Sequence, residues 1–259
     1  MLDSAVSAVL ECSGMTVRCA PPALRKYLGC FWALNPGPAA SIQTFPDGCA
    51  QLLVEIADAA QPLCVISGPR LSPGVYQPPS GTVVGVRLRP GVAHALLQLP
   101  MCDLVDARVV FAAPELEFEM VRADSTEARF NVLEAFVARR LRGAVIDERV
   151  DRAVQLIGAS SGEASIEEVA RECGLGRRQL ERLMRVWVGV TPKRLSRIAR
   201  FQAVLSGMAD QAPKEWVHMA TATYADQPHM IREFSEFAGN TPRRLIMSRG
   251  PDAEEARCG

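Results

Sequence analysis

Three arginines, Arg178, Arg182 and Arg185, recur at spacings of four and three. On a helix they share one face and leave Leu180, Leu183, Met184 and Trp187 on the other. A guanidinium is a planar fork of donors that matches a phosphate or the O6 and N7 edge of guanine, so such a stripe suits duplex DNA. Arg177 opens the same segment. A solvated charged face is the other reading of the spacing. Fifty residues on, Gln227, His229 and Arg232 take the corresponding outward face, beside Glu233 and Glu236. Carboxylates that faced phosphate there would repel it, so this second set is expected to attract DNA less strongly; turned sideways toward their own domain, they would repel little.

Two other constellations point to enzyme chemistry. Gly158-Ala-Ser160-Ser-Gly162 fits Gly-x-Ser-x-Gly, but a nucleophile elbow needs a preceding strand. Here Val150, Ala153, Val154 and Ile157 keep helical period before it, and a helix cap follows, so the segment reads as a linker. His94 with Cys102 could form a thiol–imidazole pair or hold a metal; a lone histidine on an apolar helix is expected instead to be packed and hydrogen-bonded. The eight cysteines are widely spaced without a Cys-x-x-Cys pair, so reduced, mostly buried thiols are expected, with a redox or metal sensor as the alternative. No catalytic residue, metal or cofactor is assigned. Trp32, Tyr27 and Tyr76, with His94, are the candidates for lining an effector pocket, core packing being the other role for such aromatics.

The elements that must position these residues are legible as a repeat. Residues 165–195 laid over 215–245, with an offset of 50 and no gap, pair Ile166 with Trp216, Val169 with Met219, Leu180 with Met230, Arg182 with Arg232 and Met184 with Phe234. Gly189, Thr191, Pro192, Arg194 and Leu195 then meet Gly239, Thr241, Pro242, Arg244 and Leu245. Each unit reads as a helix, a tight turn and a second helix. Ser165 with Glu168 forms a capping signal, Gly176 opens the next helix, Gly189 closes it, and Thr191-Pro192 starts another; Asp226 is the expected N-cap in the second unit. Residues 192–208 are expected to form one spacer helix. Upstream, short apolar runs at 30–34, 51–56, 63–67 and 81–88 alternate with Pro/Gly turns and predict a β-domain. Helices are expected at 91–99 and 125–141.

The chain has 259 residues, 48% of them apolar and 22% charged, enough for one large domain or two ordinary ones. Lys plus Arg equals Asp plus Glu at 29 each, so only the distribution speaks about partners. Residues 162–249 carry 14 basic against 10 acidic side chains, whereas residues 1–161 carry 14 against 16. The positive excess thus sits in the repeat, the direction expected of a segment that meets phosphate. No apolar run approaches the ~20 residues of a membrane span. Met1-Leu2-Asp3 opens without a basic leader, so a cytoplasmic location is expected.

Residues 166–245, with Glu-Val-Ala-Arg-Glu-Cys-Gly-Leu, Gly-Val-Thr-Pro-Lys-Arg-Leu and Tyr-x-Asp-Gln-x-His-x-x-Arg-Glu-Phe, resemble the paired helix-turn-helix domain of AraC/XylS transcriptional regulators. The resemblance implies base-reading positions at Arg178, Glu181 and Arg182, and at Gln227, His229, Ile231 and Arg232. Ala222-Thr223-Tyr224 departs from the family, which has Gly before that Tyr. Residues 22–34, the Pro46-Asp47-Gly48 turn and Gly85-Val-Arg-Leu-Arg-Pro-Gly91 resemble a poorly understood domain found before some AraC-type domains. That likeness implies a sensor of a small effector or a homodimerisation unit, and, for an activator, contact with RNA polymerase. The expected fold is α+β: an N-terminal β-rich domain (1–120), a connecting helix (121–146), a double helix-turn-helix domain (147–250) and an acidic tail (251–259). The expected function is a DNA-binding transcription regulator. An enzyme with a helix-turn-helix appendage, or an interaction adaptor that no longer binds DNA, are the alternatives.

Overall fold

Alternation governs the first half of the chain in a computed structural model that describes residues 15–35, 41–58, 61–210, 224 and 227–247. Its strands are β1 (Met15–Cys19), β2 (Leu28–Leu34), β3 (Ile42–Thr44), β4 (Ala50–Ala57), β5 (Leu63–Ser67), β6 (Gly74–Tyr76), β7 (Gly81–Leu88) and β8 (Arg108–Val110). Six of them form an antiparallel sheet in the order β1-β2-β7-β4-β5-β8, and β3 pairs with β6 in a second, two-stranded sheet. Phe31, Ala33, Leu52, Val54, Ile66, Val84 and Val86 line one face of the large sheet. Cys30, Trp32, Leu34, Leu53, Val65 and Val83 line the other. Both sets are buried, which is why these strands read as continuous apolar runs rather than as an apolar/polar alternation.

The first face is covered by α1 (Val92–Leu97), α2 (Pro114–Arg122) and α3 (Thr126–Leu141). Ser125 Oγ caps α3 by accepting from the Ala128 N–H, and Phe130, Leu133, Phe136, Val137 and Leu141 form its buried stripe. The second face is covered by Ile42 of β3 and Tyr76 of β6. Trp32 lies so close over β7 that a Cβ at Gly85 would stand 2.5 Å from its Cε2, so only glycine fits there.

The second half is helical: α4 (Glu148–Ala159), α5 (Ile166–Glu172), α6 (Arg177–Val188), α7 (Pro192–Asp210), α8 (Gln227–Ala238) and α9 (Pro242–Met247). Local chemistry sets the ends. Ser165 Oγ accepts from Glu168 N–H, Gln179 Oε1 accepts from Gly176 N–H, and Thr191 Oγ1 accepts from Arg194 N–H. Gly189 closes α6 in left-handed backbone with φ 87°. One apolar cluster joins α4, α5, α6 and the start of α7 through Val150, Ile157, Val169, Leu180, Met184 and Leu195. A second joins α7 to α8 through Phe201, Leu205, Met230, Phe234 and Phe237.

The chain is therefore α+β. Four short strands, β1, β3, β6 and β8, and helix α2 add to the expected elements. Three of those strands have only three residues, too few for a period. On α2, Phe118 and Val121 are exposed while Leu116 and Met120 are buried, which blurs its stripe. The first helix is shorter than the expected 91–99 because Gln98 turns left-handed (φ 56°) and donates to the His94 carbonyl. In the second unit, the expected first helix, the Ala222-Thr223 departure and the Asp226 cap lie outside the described residues.

Candidate nucleic-acid interface and adjoining cavity

On α6 the apolar side packs inward through Leu180, Met184 and Val188, which leaves Arg177, Arg178, Arg182 and Arg185 exposed. Arg177 is engaged with Glu167 at 2.7 Å and with Glu181 at 3.1 Å, which also occupies the half-buried Glu181. Arg178, Arg182 and Arg185 have no carboxylate partner among the described residues. Three uncompensated guanidinium groups thus stand on one outward face of a helix whose opposite face is fixed by the core.

On α8 the geometry selects the sideways placement of the carboxylates. Gln227, Ile231 and Arg232 are exposed and His229 is half-exposed, its ring edge-on to Tyr224 at 5.5 Å. Glu233, expected beside Arg232 on the outward face, is 1% exposed and accepts from Arg197 Nε at 2.6 Å. Glu236 is paired with Arg194 and Arg197. Both carboxylates face α7, and the Arg194 and Arg197 guanidiniums stack over Phe237 at 4.6 and 5.1 Å. They are neutralised within the unit and do not confront a phosphate at Arg232.

Both units lean on one loop of the β-domain. Leu71 packs against the clusters of both, and its carbonyl accepts from Arg194 Nη2 at 2.9 Å. Pro69 lies against Gly189 and Pro73 against Gly239. Phe45 inserts into the second unit's cluster, 6.2 Å from Phe201, and the Pro46 carbonyl accepts from Gln202 of α7. His94 packs against Trp187 of α6, the rings 4.3 Å apart and tilted by 57°, with Nδ1 2.8 Å from the Leu99 carbonyl.

A cavity opens between the second face of the large sheet and α7. Trp32 and Tyr76 line it together with Arg70, Arg87, Arg108 and Gln202. Tyr27 and His94 do not: Tyr27 packs on the opposite face of the sheet under Lys26, and His94 belongs to the contact with α6. Nothing in the local spacing of Arg70, Arg87, Arg108 and Gln202 marks a cavity, because its lining is assembled from residues as far apart in the chain as Met15 and Gln202. A larger cavity of about 500 Å³ lies on the other side of Arg87, between Lys26 and Arg89 of the β-domain and Asp151 and Gln155 of α4.

The enzyme-like leads dissolve in the geometry. Ser160 follows a helix, donates to the Ile157 carbonyl and accepts from Ala164 N–H, so it is a helix-end residue rather than a nucleophile on a strand. Cys102 contacts Asp103 rather than His94, and burial pushes the Cys49 and Cys64 thiols up to about 12, which keeps them protonated. Among the described residues no group of three metal-ligating side chains converges. No helix among them is long and apolar enough to cross a membrane.

Comparison with known proteins gives a match of residues 18–110 to the family described as a domain of unknown function, DUF6597. Among solved structures, the chain is similar to the crystal structure of an apo ToxT variant from Vibrio cholerae, with a TM-score of 0.44 and 11% identity over 91% of this chain and 98% of that one. No curated protein matches.

Proposed function

We propose that the chain is a DNA-binding transcription regulator of the AraC/XylS type, with α6 as one reading helix and α8 as the other. The observation that carries this reading is the stripe of Arg178, Arg182 and Arg185, exposed and without carboxylate partners on the second helix of a capped helix-turn-helix. Arg182 and Arg178 take base edges and Arg185 a phosphate; Gln227, His229, Ile231 and Arg232 are the second reading set, while Arg177 and Glu181 fix one another. Residues 147–250 form the DNA-binding module and the β-rich part the sensor, with the cavity at Trp32 and Tyr76 as the effector site. The 19 residues of α7 span about 28 Å at ~1.5 Å each, a spacer suited to reading helices about one DNA turn apart.

Selection of bound fragments from a random duplex pool tests the reading, followed by a salt titration on the selected site. A regulator retains a defined sequence and weakens steeply with salt. Failure to retain duplex, or binding indifferent to salt, would leave the adaptor in its place.

A further inference from the structure

We infer, on the basis of the effector reading above, that the cavity beside α7 takes a small acid with a flat apolar body and a separate hydrogen-bond donor, and that this ligand reports to both helical units through the 68–73 loop. The charge on the ligand follows from the arginines. Arg87 is paired with Asp47 at 3.0 Å and Arg108 with Glu55 at 2.5 Å. Arg70 has no carboxylate partner among the described residues, and its Nε is buried without an acceptor. A guanidinium in that state at a cavity wall is satisfied best by a carboxylate, which can take two of its parallel N–H groups.

The ligand's donor follows from Gln202, which is 2% exposed. Its Nε2 donates to the Pro46 carbonyl, a group that can only accept, so the amide orientation is fixed and Oε1 is the atom left without a partner. A ligand hydroxyl or amine supplies the missing donor. The flat apolar body follows from the aromatics. Trp32 spends its indole N–H on Gln51 Oε1 at 2.9 Å and Tyr76 spends its hydroxyl on Glu55 at 2.7 Å, so both offer the cavity ring surface rather than hydrogen bonds.

The same two polar residues belong to the parts that hold the helical units. Arg70 precedes Leu71, which packs on both units, and Gln202 sits on the helix between them. A ligand that joins Arg70 to Gln202 therefore ties the loop to the spacer helix and restricts the relative motion of α6 and α8.

Binding of p-hydroxyphenylpropionate, phenylpropionate and p-hydroxyphenylpropionamide to the full chain tests this by calorimetry. The hydroxy acid is expected to bind at least tenfold more tightly than either the acid without the hydroxyl or the uncharged amide. Arg70→Gln should abolish the preference for the acid over the amide, and Gln202→Met the preference for the hydroxyl. Hydrogen exchange in residues 68–73 and in α7 should slow on saturation with the hydroxy acid. No binding of the hydroxy acid to the unaltered chain, an amide bound as tightly as the acid, or binding without slowed exchange would overturn the proposal even if both variants fail to fold. Duplex retention, measured separately, decides the regulator reading: a chain that retains duplex but ignores the acid refutes only the ligand, and one that prefers the acid but ignores duplex refutes only the DNA role.

Discussion

Gly189 and Gly239 stand at matching positions of the two helical units, and both abut the same β-domain loop. Each follows its helix in left-handed backbone, with φ 87° and 67°. Gly189 faces Met101 and Pro69, and Gly239 faces Pro73. The internal repeat thus presents two equivalent turns to one short segment, with Leu71 between them. Through this one segment the β-domain contacts the ends of both α6 and α8.

The contacts at the two glycines are unequal, and this orders two substitutions. A Cβ at Gly239 would stand 3.6 Å from Pro73 Cγ, an ordinary contact, so Gly239→Ala is expected to cost only the ~1 kcal/mol of left-handed backbone. At Gly189 the Cβ would stand 2.9 Å from the Met101 carbonyl oxygen and 3.0 Å from Pro69 Cγ, so the backbone strain is joined by displacement of the neighbouring chain. Gly189→Ala should cost about 2–3 kcal/mol, within the range for strained or overpacked sites. Urea unfolding of both variants measures the difference, and equal losses would contradict the asymmetry.

Arg182 and Leu180 occupy opposite sides of α6 and should fail in opposite ways. Arg182→Ala should weaken the selected DNA site by about 1–3 kcal/mol and relax base preference, with stability within about 0.5 kcal/mol of the parent. Leu180 is fully buried, so Leu180→Ala should cost about 2–5 kcal/mol of stability. Paired binding isotherms and unfolding curves check this. Unchanged affinity and preference in Arg182→Ala would remove α6 from the groove.

Glu236 gives the pH dependence. Burial raises its pKa, but hydrogen bonds from Arg194 and Arg197 outweigh that and hold it below the ordinary glutamate value. A carboxylate depressed in the folded state contributes stability that is complete above its unfolded pKa of ~4.3 and is lost as pH falls through the lower folded value. Glu236→Gln should therefore unfold at lower urea than the parent at pH 6, with the gap closing below about pH 4. Because the charge of the partly exposed Glu236 is compensated by Arg194 and Arg197 of α7, the same variant should not bind DNA more tightly. A tenfold gain in affinity would restore the repulsive role that the sequence had implied.

Residues whose chemistry is local were legible in the sequence. Ser165, Gly176, Gly189 and Thr191 each cap or close a helix through a neighbour within five positions, and the stripe on α6 follows from spacing alone. Which way Glu233 and Glu236 turn was not legible, because their partners, Arg197 and Arg194, lie 36 and 42 positions earlier, and only packing of α8 on α7 brings them together. Trp32 and Tyr76 could be singled out as aromatic, but Tyr27 and His94 carry the same kind of signal and fold elsewhere. The side of a sheet on which an aromatic falls depends on its register, as Phe31 and Trp32 show by facing different cores.

The salt dependence of DNA binding is the last expectation, and the structure changes its basis. The sequence favoured the first unit for two reasons: more arginines, and fewer carboxylates. The second reason falls away, since Glu233 and Glu236 are held by Arg197 and Arg194. The first remains, because α6 presents Arg178, Arg182 and Arg185 against Arg232 alone on α8. Each phosphate neutralised contributes about −0.9 to the slope of log K against log salt concentration. With Arg185 on a phosphate and Arg182 on a base edge, replacing both by Ala should flatten the slope by ~0.9, whereas Arg232→Ala, which removes a base contact, should change it by less. Titration of each variant on the selected duplex between about 50 and 200 mM salt spans the useful range. A larger flattening from Arg232→Ala than from the double replacement would show that α8 carries the electrostatic contact and α6 does not.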